Sequence, residues 1–94
     1  MALSREAAEV FSINVLGWLA GQEEILPLFL GASGASESDL RTRLADPVFH
    51  LSVLDFLMMD DQWIIACCDD LRVPYERINE ARQSLPGGAE VSWT

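Results

Sequence analysis

Ninety-four residues carry fifteen acids against six bases, a formal net charge of −9, and all six bases are arginines. Phosphate backbones and anionic lipids are held through clustered positive charge, so this balance excludes nucleic acid and membrane surfaces and leaves a basic or neutral protein as the compatible partner. Half of the residues are apolar, enough for one core in a chain that buries only about 60–65% of its unfolded surface.

The missing lysine removes several chemistries at once. A Walker-type phosphate loop and a Schiff-base enzyme each need an amine this chain does not carry. Glu6 and Glu9 stand where a secretory leader would have a positive region, so no signal peptide is expected. No stretch of about 18 uninterrupted apolar residues offers a spanning helix. Cys67 and Cys68 are adjacent, which gives neither a disulfide framework nor metal-ligand spacing, and a reducing cytoplasm is the expected location.

Taken in order, the chain predicts helices. Ser4 caps a first one, with Ala8, Phe11, Val15, Trp18 and Leu19 on one face at spacings of three and four, and Gly21 ends it. A short second helix carries Ile25, Leu26, Phe29 and Leu30. Pro27 belongs in its first turn, because a later proline would lose a hydrogen bond and clash. Gly31 and Gly34 are expected to stop it, and GASG is too far from a nucleophile-elbow spacing to mean more. Ser36 with Asp39 resembles a capping box opening a third helix that runs to about Ala45 and buries Leu40 and Leu44. Asp46-Pro47 opens a fourth, DPVFHLSVLDFLMM. Asp60 or Asp61 opens a fifth with Trp63, Ile64, Cys67, Cys68 and Leu71. Pro74 opens a sixth through Ile78, Ala81 and Leu85, and residues 89–94 are expected to fray.

Residues 8–44 slide onto 46–82 with a shift of 38 and no gap. Val10, Phe11, Val15, Leu16 and Leu19 meet Val48, Phe49, Val53, Leu54 and Leu57, and Leu40 meets Ile78. The plainer reading is that any two amphipathic helices can be slid into partial register. Register held across two loops argues instead for a duplicated three-helix unit. The expected fold is therefore all-α, a single domain of five or six short helices in two tandem units about a pseudo-twofold axis. Helices one and four are apolar on two arcs: Phe11, Val15, Trp18 and Phe49, Val53, Phe56 on one; Ile13, Leu16, Ala20 and Leu51, Leu54, Met58 on the other. The first arc is expected to face its own unit, the second the other unit. Failing that, the second arcs should meet between two chains, so a monomer or a homodimer fits.

Residues that carry chemistry are few. Asp60–Asp61 and Asp69–Asp70 lie at opposite ends of one helix, about 12 Å apart, too far to converge on a hard cation. Capping and solvation explain them, as do partner contacts in which Asp60, Asp61, Trp63, Asp69 and Asp70 form a binding face. Trp93 is a weaker anchor of the same kind. His50, the only histidine, has no local carboxylate or second ligand and reads as structural. The two thiols read as small hydrophobes, since neighbouring aspartates disfavour a thiolate. Neither catalytic residues, a metal nor a cofactor is expected.

LRTRLADPVFHLSVLDFLMMDD resembles a family of small helical bacterial proteins, mainly alphaproteobacterial, that forms a domain of unknown function. Leu40-Arg41, Asp46-Pro47, Phe49, Val53-Leu54-Asp55-Phe56-Leu57 and Asp60 carry the likeness, which extends more faintly from Leu16 to Arg82. Where that family often has Gly-Leu-x-Pro before its third and sixth helices, this chain reads GASGAS and LRVP. The resemblance implies a helical fold and no activity. The function expected is a small cytoplasmic protein-interaction module without catalysis. The alternatives are an enzyme, or an enzyme's accessory subunit, built around His50 and nearby carboxylates, and an acidic mimic of nucleic acid.

Overall fold

Three side chains begin the long helices of this protein. In a computed structural model that describes residues 3–87, Ser4 Oγ accepts the Ala7 N–H at 3.0 Å and starts α1 (Arg5–Ala20). Asp46 accepts from the Val48 N–H at 2.9 Å and starts α4 (Pro47–Leu57), with the proline in the first turn where its missing N–H costs nothing. Asp60 accepts from the Gln62 N–H at 2.9 Å and starts α5 (Asp61–Leu71). Between them lie α2 (Ile25–Ser33) and the single turn α3 (Asp39–Thr42), and α6 (Arg77–Ser84) follows. The described residues are thus all-α. None of their helices is long and apolar enough to cross a membrane.

Several boundaries differ from the expectation. Gly31 is inside α2, and Gly34 alone ends it, at φ 76 in the left-handed region that glycine adopts freely. Ser36 donates its N–H to Asp39 Oδ2 at 2.9 Å, the capping contact expected there. Even so, α3 stops after one turn and Leu44 stays 38% exposed, with too little apolar surface to hold a longer helix. Pro74 opens a turn, in which its carbonyl accepts the Arg77 N–H at 3.0 Å, and α6 starts after it. The tail at 89–94, with Trp93, lies outside the described residues.

The core sits between α1 and α4. Val15, Leu16 and Leu19 from one and Val53, Leu54 and Leu57 from the other are fully or almost fully buried. Phe29 of α2 meets Phe49 edge-on at 5.8 Å and Phe56 at 5.3 Å, and Phe56 stacks on Trp63 of α5 at 4.4 Å. The two arcs divide unevenly. Leu16 and Leu54 of the second arc are buried, whereas Ile13 and Met58 remain more than a third exposed.

The helices interleave. Both α1 and α4 pack on each other, and α2 and α5 each touch both of them. The third members break this reciprocity: α6 lies along α1 and α4 together, while α3 makes no comparable packing with either. The α1–α4 contact expected between two tandem units is present, but the packing does not by itself divide the helices into two three-helix units.

Candidate functional site

Helix α5 and its N-cap carry Asp60, Asp61, Trp63, Asp69 and Asp70, the face that the sequence proposes for partner contact, and the two ends treat them differently. Asp60 is committed to the helix cap. Asp61 is exposed in the first turn, where a carboxylate complements the helix dipole, and no arginine pairs with it among the described residues. Trp63 turns inward, half-buried on Phe56, and serves the core.

At the far end the acids have partners from distant segments. Trp18 Nε1 of α1 donates to Asp70 Oδ2 at 2.7 Å, and Tyr75 Oη donates to Asp69 Oδ1 at 2.9 Å. That bond, and the carboxylate charge behind it, hold the Tyr75 phenol above its ordinary pKa. Nothing in the sequence signals the Trp18–Asp70 bond, because its partners are 52 residues apart. The Tyr75–Asp69 bond spans six residues and a turn, and Tyr75, like Ile65 and Glu76 beside it, is a residue that sequence reasoning missed.

Together these residues shape an open groove of about 380 Å³ on the outside of α5, lined by Asp61, Ile64, Ile65, Tyr75 and Glu76. Its floor is apolar, with Ile65 36% and Tyr75 49% exposed. Its rim is acidic at both ends. A second groove, about 250 Å³ between α2 and α4, has Phe29 and Phe56 beneath it and Met59 at its edge. Its only carboxylate, Asp55, is paired with Arg82 of α6, so that rim carries no net charge. A third, about 500 Å³, lies between α1 and the start of α6 and has both Glu6 and Arg77 in its lining. Of these three grooves, that on α5 joins an apolar floor to charge of one sign with no ion pair among the described residues.

His50 lines none of these grooves. It is 1% exposed, and its Nε2 donates to the Leu44 carbonyl, which can only accept, so that nitrogen carries the proton. Its Nδ1 is buried and meets no hydrogen-bond partner among the described residues. Cys67 and Cys68 are fully buried. Burial, then Cys68 and Asp70, pushes the Cys67 thiol up to about 12, and burial followed by Asp69 raises Cys68 as well. Neither is a thiolate at neutral pH. Among the described residues no three His, Cys, Asp or Glu side chains gather closely enough to hold a metal ion.

A family model described as "Protein of unknown function (DUF3572)" matches residues 5–88. The chain belongs to that family. The DUF3572 match runs from the first residue of α1 past the end of α6, so it takes in the whole helical array and the α5 groove with it. No curated protein and no solved structure matches the chain.

Proposed function

We propose that the protein is a non-catalytic interaction module of the cytoplasm that docks a basic protein partner on the outer face of α5. The observation that carries this reading is the groove itself: half-buried Ile64 with exposed Ile65 and Tyr75, flanked by Asp61 and Glu76, and Asp69 bonded to the Tyr75 hydroxyl. Apolar area supplies affinity and the acidic rim supplies selection for positive charge and a fast, steered encounter. Of the residues proposed from sequence, Asp61 and Asp69 belong to this face, whereas Asp60, Trp63 and Asp70 support it as cap, core contact and tie to α1. The internal repeat belongs to the same proposal. Duplication would have supplied α5 as the counterpart of α2, with Asp61 meeting Glu23, while Asp69–Asp70 meet Gly31–Ala32 and have no acidic equivalent in the first copy.

Capture on immobilised protein tests this. The native chain is compared with Ile65→Glu and with the double variant Asp61→Asn/Glu76→Gln, leaving the Asp60 cap intact. A basic protein retained by the native chain and lost by both variants is the expected result. A partner retained equally by all three would place its surface elsewhere and overturn the proposal.

A further inference from the structure

We infer that the segment bound by this face is a basic amphipathic helix, with one apolar side chain over Ile64, Ile65 and Tyr75 and a positive side chain at each end. The inference rests on the interaction reading above and adds the conformation and spacing of what is bound. Three observations lead to it.

The first is the absence of any strand among the described residues. An extended peptide gains affinity by pairing its backbone with a sheet edge, and here it would lay unpaired N–H and C=O groups over isoleucine side chains. A helix brings its backbone hydrogen bonds with it. The second is length. Asp61 and Asp69 lie eight residues apart, about 12 Å along α5. A partner helix matches that span with basic residues at i and i+7 or i+8 and its apolar residue at i+4, all on one face.

The third is the chemistry of the Tyr75 end. Asp69 accepts the Tyr75 hydroxyl and fixes the ring, whose exposed face lies in the same groove as the Glu76 side chain. A planar guanidinium can stack on that ring and hydrogen-bond a carboxylate together, which an ammonium does less well. The basic residue at that end is therefore an arginine. At the Asp61 end, where no aromatic ring lines the groove, lysine serves equally.

The test uses the full chain and three synthetic peptides of the same length and net charge, roughly 18 residues long so that a helix can form. One places its basic and apolar residues at the stated helical spacing. The second has them shuffled, and the third has prolines that enforce an extended chain. Amide NMR shifts of the labelled protein locate binding, and fluorescence anisotropy at about 50 mM salt measures it.

The helical peptide is expected to shift Ile64, Ile65, Tyr75 and Glu76 saturably and to bind about tenfold more tightly than the shuffled one. Ile65→Glu should weaken it about tenfold and Asp61→Asn about two- to fivefold. Replacing the peptide's arginine by lysine should weaken it too. If the extended peptide shifts these amides and the helical one does not, the inference falls and the interaction reading stands. Equal binding of all three would reduce the face to undirected charge attraction and also overturn the inference. If no peptide shifts the α5 amides, both the inference and the reading it rests on fall.

Discussion

Cys67 and Cys68 look reactive as a neighbouring pair and are the opposite in place. Both are fully buried, and burial with the adjacent aspartates pushes their pKa values up, so the nucleophilic thiolate is suppressed twice over. A chromogenic disulfide reagent at about pH 8, below even the ordinary thiol value, should release nothing from the native protein and two equivalents after unfolding. Prompt reaction of the native protein would show that the thiols are not packed as described. Asp46 gives a residue-scale test of the opposite sign. The Val48 N–H, then Arg43, hold its carboxyl below the ordinary value of 3.8. A depressed folded pKa contributes stability that is present above that value and is lost as pH falls through the folded one. Asp46→Ala should therefore lower Tm at neutral pH, and the gap to the native protein should close in strong acid. A gap constant with pH would mean that the carboxylate does not act as the cap. These residues were legible because their partners are close in sequence. Asp70 was not, since only the fold brings Trp18 to it.

Helix starts were readable for the same local reason: Ser4, Asp46 and Asp60 each cap within three residues. Helix ends were harder, because they depend on what the next turn packs against. At the end of α5 the capping position is Arg72, held at φ 60 where a side chain crowds the following carbonyl. Arg72→Gly should raise stability by about 0.5–1 kcal/mol in denaturant melts, the gain being limited by glycine's greater freedom when unfolded. A loss would mean that the arginine side chain makes a contact worth more than the strain. The third helix was overestimated because a capping signal alone does not sustain a helix without a buried face. Phe29 shows the converse. One fully buried ring joins α2 to Phe49 and Phe56 of α4, and through Phe56 to Trp63 of α5. Phe29→Ala should cost about 3–5 kcal/mol and dim the near-ultraviolet signal of Trp63, a large share of the stability available to a small domain.

Charge acts across the whole molecule, and its arrangement decides how salt should act. The ion pairs Arg5–Glu9, Arg43–Asp46 and Arg77–Glu80 are all within four residues along the chain. In the last, Arg77 Nε lies 3.3 Å from Glu80 without hydrogen-bond geometry. Only Arg82–Asp55 among these pairs ties one helix to a distant one. Arginine therefore neutralises its immediate neighbours and leaves the excess of nine negative charges spread over the surface. Exposed local pairs of this kind stabilise a fold little, whereas a large net charge repels itself in the compact state. Added salt screens both beyond about 10 Å at 0.1 M, and the diffuse repulsion, being longer in range, is screened more completely. Thermal stability should thus rise between about 0.01 and 0.3 M sodium chloride, and each kcal/mol of repulsion relieved should raise Tm by about 4–8 °C. Over the same range, binding of a basic segment at α5 should weaken, because the attraction screened there is the one that selects it. Opposite slopes for melting and binding in one salt series are the joint expectation. A falling Tm would mean that the arginine pairs outweigh the net repulsion. Binding indifferent to salt would leave Ile64, Ile65 and Tyr75 to act without the acids around them.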